Sequence, residues 1–545
     1  MTGLVPRIVK EQLTMGAADL ALRVGPVRRW ALEQAEKKLY EFYCVKRFEG
    51  LPLGVQESRH RAVMNLLRSL EKGVAEGRIS PRARRGLMRG FVTGSIANAR
   101  KNVASFMTRN GYEPPAFLVM SPTQRCNLYC KGCYSASSSK TAGTLAYDTF
   151  CRILEDKRDD WGSHFTALSG GEPLMYRSQG KTILDVFRRF SDTYFLMYTN
   201  GTLIDEAMAE QLAEVGNVSP AISVEGFEKE TDDRRGKGVF QKIERAMNAL
   251  RKAGVPFGIS MTGTRENADV VMSEDIIKHY VDEMGAVYAW MFQYMPIGRS
   301  QTIDLMVTPE QRERMLHRQL DLIKNRGLFF LDFWNGGYVS GGCMAAGKSG
   351  GFFHVDWNGD CSPCVFVPYA VDNVYDIYRS HRTLTSVLAS PVFKALREWQ
   401  ADYTGHAGQE SCRNLFAPCP VRDHPEIVRD VVVKFGARPM NQEAAEALTD
   451  PGYRAGMDAY AQKLGELVDP VWEREIVSRE PNPTGAMPRA PRPDPLAVAD
   501  EQAAEAAPDQ AAAPANGQQA NGSVGAQPAA GGRPAKKKSL PVQSS

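Results

Sequence analysis

The sequence predicts an α/β fold: a partial (β/α)6 TIM-type barrel, preceded by a helical region and followed by a small α+β module rich in cysteine. Two observations carry this. From Ala116 onward, short apolar runs alternate six times with amphipathic helical patterns, whereas no strand pattern interrupts the residues before it. The ten cysteines fall mostly into two tight groups, one at the start of the alternating region and one beyond its end. Repeated strand-helix units build a parallel sheet that curls toward a barrel, and six units are fewer than the eight of a closed one.

Residues 1–115 read as a basic helical region. Leu20, Val24, Val27, Ala31, Ala35 and Leu39 recur at near-helical spacing, with Arg23, Arg28, Arg29, Lys37 and Lys38 between them. Residues 116–326 hold the barrel. Its strands are expected at 117–120, 165–168, 194–198, 218–224, 257–261 and 287–294, where apolar runs are short. Its helices are expected near 146–157, 181–190, 205–215, 239–253, 272–284 and 309–326. Residues 327–425 form the Gly- and Cys-rich module. A hairpin is expected there, with its turn at Trp357-Asn358-Gly359-Asp360 and strands at 352–355 and 365–367. Helical patterning returns near 382–400 and again through 426–480. Residues 481–545 are mostly Ala, Pro, Gln, Gly and Asn, a composition that cannot repay the entropy of ordering, so disorder is expected. Lys536, Lys537 and Lys538 within that stretch read as a solvated charge run.

Composition sets the outer limits. With 545 residues, 43% of them hydrophobic, the chain can bury a sizeable core. It has no apolar run of about 18 residues, and Arg7, Lys10, Glu11 and Asp19 stand where a signal peptide needs an unbroken apolar stretch. The expected location is therefore cytoplasmic. In that reducing compartment, clustered cysteines point to metal ligation rather than to disulfides. Lys and Arg minus Asp and Glu come to about +11 over residues 1–115, leaving about −7 for the remainder. A basic amphipathic region of this kind suits a helical cap on the barrel, or contact with an anionic membrane surface. Nothing indicates nucleic acid.

The first cysteine group is Cys126-x3-Cys130-x2-Cys133, just after the first expected strand. Three thiolates at this spacing, in a loop that curls round a centre, can each take one iron of a 4Fe-4S cube and leave the fourth iron open to another ligand. A structural zinc site is the alternative reading, but such sites are closed by four ligands, and no fourth Cys or His lies nearby. The position fits a catalytic centre, because loops at the C-terminal ends of barrel strands carry the active sites of such folds. A second element, Gly170-Gly171-Glu172-Pro173, follows the second strand. Glycines allow close backbone approach to a ligand, and a carboxylate accepts hydrogen bonds from a cationic amino group.

These two motifs resemble those of the radical SAM superfamily, over most of residues 116–325. The resemblance implies that the open iron chelates the amino and carboxylate groups of S-adenosylmethionine. Reduction of the sulfonium would then release a 5'-deoxyadenosyl radical that takes hydrogen from substrate. It also implies cofactor contacts from Gly170, Gly171, Glu172, Asn200 after the third strand, Ser223 at the end of the fourth, and Arg235 in Asp232-x-x-Arg235-Gly236. Pro296-Ile297-Gly298-Arg299 is similar to a family turn, without an assigned role. Two positions depart from the family pattern. Glu225 stands where Asp is usual, and Gly132 stands where many relatives carry an aromatic residue.

The second group is Cys343, Cys361, Cys364, Cys412 and Cys419. The spacing Cys343-x15-Gly359-x4-Cys364 resembles the opening of a SPASM or Twitch extension, which implies an auxiliary 4Fe-4S cluster. Four of the five would ligate it, with Cys361 or Cys364 the extra. Gly342-x4-Gly347-Lys348-Ser349 satisfies a phosphate-loop pattern, but that pattern works only between a strand and a helix, and a strand follows here. Asp332, at the end of an apolar run, is a candidate general base, with an ordinary strand-end aspartate as the plain reading. Lone histidines such as His164 and His354 receive no role. The expected partners are a reductant such as flavodoxin or ferredoxin and a peptide or small-molecule substrate. A lipid-modifying enzyme at the membrane surface and a non-catalytic iron-sulfur electron carrier are the alternatives.

Overall fold

The computed structural model describes residues 24–46, 51–90, 99–405 and 412–478. The tail expected to be disordered and the beginning of the basic helical pattern, including Leu20 and Arg23, lie outside the described residues.

The apolar runs form six parallel strands in sequential order: β1 (Leu118–Met120), β2 (Phe165–Leu168), β3 (Tyr194–Thr199), β4 (Val218–Val224), β5 (Gly258–Gly263) and β6 (Ala289–Gln293). Burial along β3 and β4 is almost continuous, as strands covered on both faces require. Two additions extend the sheet past six units. β7 (Phe330–Asp332) pairs in parallel with β6, so the apolar run ahead of Asp332 is a seventh strand. On the other side, β8 (His354–Val355) pairs in parallel with β1 and turns back into β9 (Asp360–Ser362), which is flanked by β10 (Asp372–Asn373). The sheet runs β10-β9-β8-β1-β2-β3-β4-β5-β6-β7 and stays open, with β10 and β7 at its edges.

The hairpin turn falls where the sequence places it, but its second strand does not. That strand begins at Asp360 rather than near 365. Asp356 Oδ1 accepts the backbone N–H of Asn358 at 2.8 Å and of Asp360 at 2.9 Å, and Gly359 takes φ +82°, so the chain reverses at once. The apolar run at 365–367 is instead core packing. Phe366 packs against Trp334 with ring centroids 4.7 Å apart and the rings tilted by 50°.

Helices α1 (Gly25–Tyr40) and α2 (Leu53–Ala75) precede the barrel. Within it follow α3 (Tyr147–Trp161), α4 (Ile183–Arg189), α5 (Glu206–Val215), α6 (Glu228–Arg235), α7 (Val239–Ala253) and α8 (Pro309–Lys324). The helix expected over 272–284 is a short turn, Glu274–Ile276, running into the π-helical Ile277–Glu283. Beyond the hairpin come α9 (Pro391–Tyr403), α10 (Pro425–Lys434) and α11 (Pro451–Trp472).

α2 packs on the barrel. Its Leu66 and Leu70 cover a small cluster of Leu196, Ala221, Val287 and Tyr288. Asn65 Nδ2 donates to the carbonyls of Ile323 and Leu328, both at 3.0 Å, which ties α2 to the end of α8 and the approach to β7. Among the described residues, no helix is long and apolar enough to cross a membrane.

Candidate functional site

Parallel strands bring all their C-terminal ends to one edge of a sheet, so residues far apart in sequence meet there. Cys126, Cys130 and Cys133 lie in the loop after β1, Gly170, Gly171 and Glu172 after β2, Asn200 after β3, Ser223 in β4 and Arg235 in α6. All of them line one cavity of about 360 Å³. Much of the remaining wall is aromatic, including Tyr198, Trp290, Phe292 and Phe333.

The individual contacts refine the roles read from sequence. A Cβ on Gly170 would lie 2.8 Å from Ser121 Cβ and 2.9 Å from the Thr123 carbonyl, and one on Gly171 would collide with the Arg125 carbonyl. The backbone N–H groups of Gly171 and Glu172 donate to Thr123 and Arg125 at 2.9 and 2.8 Å. The two glycines therefore let the end of β2 zip against the cysteine loop, and their closest neighbour is protein. Glu172 is buried, and its carboxylate accepts from Thr199 Oγ1 at 2.7 Å, Asn200 N at 2.8 Å and Leu174 N at 3.1 Å. Burial pushes this carboxyl up and the three donors pull it back. It braces β2 against β3.

Asn200 Nδ2 donates to Asn127 Oδ1 at 2.9 Å and points to Cys126 Sγ at 3.7 Å, so its nearest functional contact is a thiol. Burial pushes the Cys126 thiol up to about 12, and a metal would be needed to hold it as thiolate at neutral pH. Ser223 lines the cavity, and its hydroxyl has no hydrogen-bond partner among the described residues. Glu225, the residue standing in for Asp, is fully buried. It accepts from Arg234 Nη1 and from Arg235 Nε, the latter at 2.8 Å, and its other oxygen accepts from Thr262 N at 3.1 Å. Burial works to lower Arg235, but Glu225 and the nearby Cys130 and Cys126 outweigh it and hold the guanidinium up. Two guanidinium groups on one carboxylate leave positive charge in the wall facing the thiols.

Sequence reasoning missed the groups that hold the cysteine loop from the far side. Arg299, in the turn after β6, donates to the carbonyls of Cys130 at 2.7 Å and Ser137 at 2.5 Å, and its backbone N–H donates to Cys133 at 3.0 Å. Its guanidinium also lies 3.5 Å from the centre of the Tyr129 ring. Gly298 takes φ +67°, and any Cβ there would strike the Tyr134 carbonyl. Pro296-Ile297-Gly298-Arg299 was the available signal, but a four-residue turn cannot say what it touches. Tyr294, just past β6, fills the space beside Gly132, where a Cβ would lie 2.6 Å from its ring.

Asp332 is not placed as a general base. It is fully buried and outside the cavity lining, and its oxygens accept from Gln293 Nε2 at 2.6 Å, Trp334 N at 2.9 Å, and Asn335 N and Nδ2 at 3.2 and 3.1 Å. Burial raises its carboxyl and these donors, with Arg312 behind them, oppose the rise. Gln293 is the residue of this pair that reaches the cavity.

The second cysteine group divides. Cys343, Cys364 and Cys419 line a separate small cavity of about 50 Å³. Cys412 lies outside that lining, seven residues before Cys419, and is buried. Cys361 is not with them. It is buried in β9, paired in register with Asp372 of β10, whereas Cys364 lies in the bend past the end of β9. Of the two candidates for the extra cysteine, the fold separates Cys361 and keeps Cys364 with the group. The Lys348 pattern is not followed by a helix, as the sequence indicated; Gly350 leads to β8.

None of the ten cysteines is in a disulfide. Among the described residues, no three Cys, His, Asp or Glu side chains converge tightly enough to hold a single ion. The fit to iron-sulfur groups rests on the soft donor set, with thiols arranged around two cavities and arginines facing the larger one.

Residues 120–273 match the sequence model of the Radical SAM superfamily, so the chain carries a radical SAM domain. It is 33% identical over 210 residues to the AdoMet-dependent heme synthase of Methanosarcina barkeri, a match covering 37% of this chain and 57% of that protein. It is 29% identical over 160 residues to the PqqA peptide cyclase of Granulibacter bethesdensis, covering 29% of this chain and 42% of that one. The chain thus spans about half the length of these curated relatives. The crystal structure of Streptococcus suis SuiB aligns over 59% of this chain and 81% of its own at 16% identity, with a TM-score of 0.44.

Proposed function

We propose that this protein is a radical SAM enzyme acting on a peptide or small molecule, with a 4Fe-4S cluster on Cys126, Cys130 and Cys133 and an auxiliary cluster on Cys343, Cys364, Cys412 and Cys419. When bound, the first cluster with S-adenosylmethionine supplies a 5'-deoxyadenosyl radical, the electron coming from a reductant such as flavodoxin or ferredoxin. The observation that carries this reading is that three thiols, the Gly170–Glu172 turn, Ser223 and Arg235 line one cavity. In it, Arg234 and Arg235 present positive charge to anionic groups, Ser223 offers an unused hydroxyl, and Asn200 steadies the Cys126 sulfur. The aromatic wall excludes water, which protects a reactive radical. Relatives named for a heme and for a peptide leave both substrate classes in play, and the cytoplasm, where thiols stay free, is the compartment this chemistry needs.

The test is anaerobic incubation of the reconstituted, reduced protein with S-adenosylmethionine. 5'-Deoxyadenosine accumulates with the native chain and not with Cys130→Ala. A protein that holds its iron yet makes none is an electron carrier, and the enzyme reading fails.

A second reading, action at a membrane surface, is favoured by the α1 region, where Trp30 is 61% and Val45 61% exposed beside the exposed Arg29, Lys37 and Lys38. Co-sedimentation with anionic liposomes at low and moderate salt tests it, and absence of binding at low salt ends it.

A further inference from the structure

Lys348 is left over from the phosphate-loop pattern, and its surroundings give it different work. The segment after Cys343 folds back on itself. The N–H of Phe352 donates to Met344 at 2.8 Å and that of Gly351 to Lys348 at 2.7 Å, while Ala346 and Gly347 take φ +58° and +64°. This turn swings the Lys348 side chain over the stretch Gly341–Cys343. Its Nζ donates to the Gly341 carbonyl at 3.1 Å and lies 3.7 Å from where a Cβ on Gly342 would stand. Gly342 lines the small cavity together with Cys343, Cys364 and Cys419.

Among the described residues, Lys348 has no carboxylate within ion-pair distance. The acid nearest the cysteines by sequence, Asp423, is committed elsewhere. It accepts from Arg312 through both oxygens and from the Cys419 N–H at 3.1 Å. A half-buried ammonium beside a cavity of thiols, with one carbonyl and, among the described residues, no acid, is a cation placed for an anion that is to occupy the cavity.

We infer that Lys348 sets the reduction potential of the auxiliary cluster, holding it higher than four thiolates alone would. The inference rests on the auxiliary cluster proposed above. A cube with four thiolate ligands is an anion, and adding one electron makes it more negative. A fixed ammonium therefore stabilises the reduced form more than the oxidised form, and cluster potentials follow net charge and hydrogen bonding near the sulfurs. No bond forms or breaks; the electron comes from the external reductant or, in the assay, from a mediated electrode.

The test is a redox titration of the reconstituted full chain, followed by low-temperature electron paramagnetic resonance. A Cys130→Ala background leaves the auxiliary signal alone. Lys348→Met should disfavour reduction about tenfold, a midpoint lower by about 59 mV for one electron, and Lys348→Arg should stay near the parent. An unchanged midpoint in Lys348→Met with full auxiliary iron overturns the inference. If Lys348→Met loses that iron, Lys348→Gln is titrated instead. Iron loss in both neutral variants with the fold intact also overturns it, because Lys348 would then retain the cluster rather than tune it. A native chain binding about four irons instead of about eight removes the auxiliary cluster itself, a failure distinct from any result with the variants.

Discussion

The two cysteine regions solve the same problem in different ways. Cys126, Cys130 and Cys133 come from eight consecutive residues of one loop, and that loop is held from three sides: by β2 through Gly171 and Glu172, by α6 through the Arg234 carbonyl bonded to Lys131 N at 3.0 Å, and by Arg299. The cavity in front of it is large and has aromatic walls. Cys343, Cys364 and Cys419 come from three separate stretches of chain around a small cavity, with Cys412 seven residues before Cys419, and tertiary packing brings the three stretches together. The first region is a local set of thiols facing open space where another molecule can sit. The second is a dispersed set enclosed by protein, which suits a group that exchanges electrons without admitting substrate. His354 joins them, its Nε2 bonded to Ser121 Oγ at 2.9 Å ahead of the first loop and its Nδ1 to Ser362 Oγ at 3.2 Å in the module.

The largest effects should come from exchanging the cysteines. Cys130→Ala and Cys364→Ser should each bring the iron content from about eight to about four per chain, but only the first should abolish S-adenosylmethionine cleavage outright. Cys361→Ser should keep all the iron. Loss of iron from that variant would return Cys361 to the ligand set and break the division drawn here.

Arg299→Ala sharpens the contrast, because it removes two charge-assisted bonds to the first loop and touches nothing in the module. Urea unfolding of the apo-protein should show a loss of roughly 2–3 kcal/mol. Reconstitution should then favour the second site over the first, and equal iron loss from both sites would contradict a local role.

The seam between the regions should be sensitive to pH. Burial holds His354 neutral, down to about 3 in the folded protein, while the unfolded chain protonates near the ordinary histidine value of about 6.5. The unfolded state therefore binds the extra proton between these values. Stability from this residue is present above about pH 6.5 and declines as pH falls toward 3, by about 2 kcal/mol between pH 7 and pH 5. Unfolding curves at those two pH values should differ by that much more for the native chain than for His354→Gln. Equal differences would place the titration elsewhere.

The smallest expected effect is at Gly132. Gly132→Ala puts a methyl against the Tyr294 ring at a position with φ +61° and should cost about 1–2 kcal/mol, with S-adenosylmethionine binding weakened as the ring is displaced. Unchanged thermal stability and binding would mean that Tyr294 moves aside freely.

Periodicity by itself determined the six parallel strands and most of the helices, because the alternation of apolar runs with amphipathic segments reflects local physics that each segment satisfies alone. The Cys126–Cys133 loop and the Gly170–Glu172 turn were legible for the same reason: their spacing is short and set by the chain. Other features were settled only by the tertiary structure. The seventh strand depends on a partner 41 residues earlier in the chain, and the abrupt start of β9 on a side-chain bond inside a turn. The tertiary structure also settled the work of Glu172, Asn200 and Asp332, whose residue types fit several roles until their hydrogen bonds are known. The sorting of Cys361 from Cys364 turned on where β9 ends, with Cys361 inside the strand and Cys364 in the bend beyond it. Arg299 was hidden because the loop it holds lies more than 160 residues earlier in the chain. Its significance is a distance in space, and spacing along the chain carries no record of that.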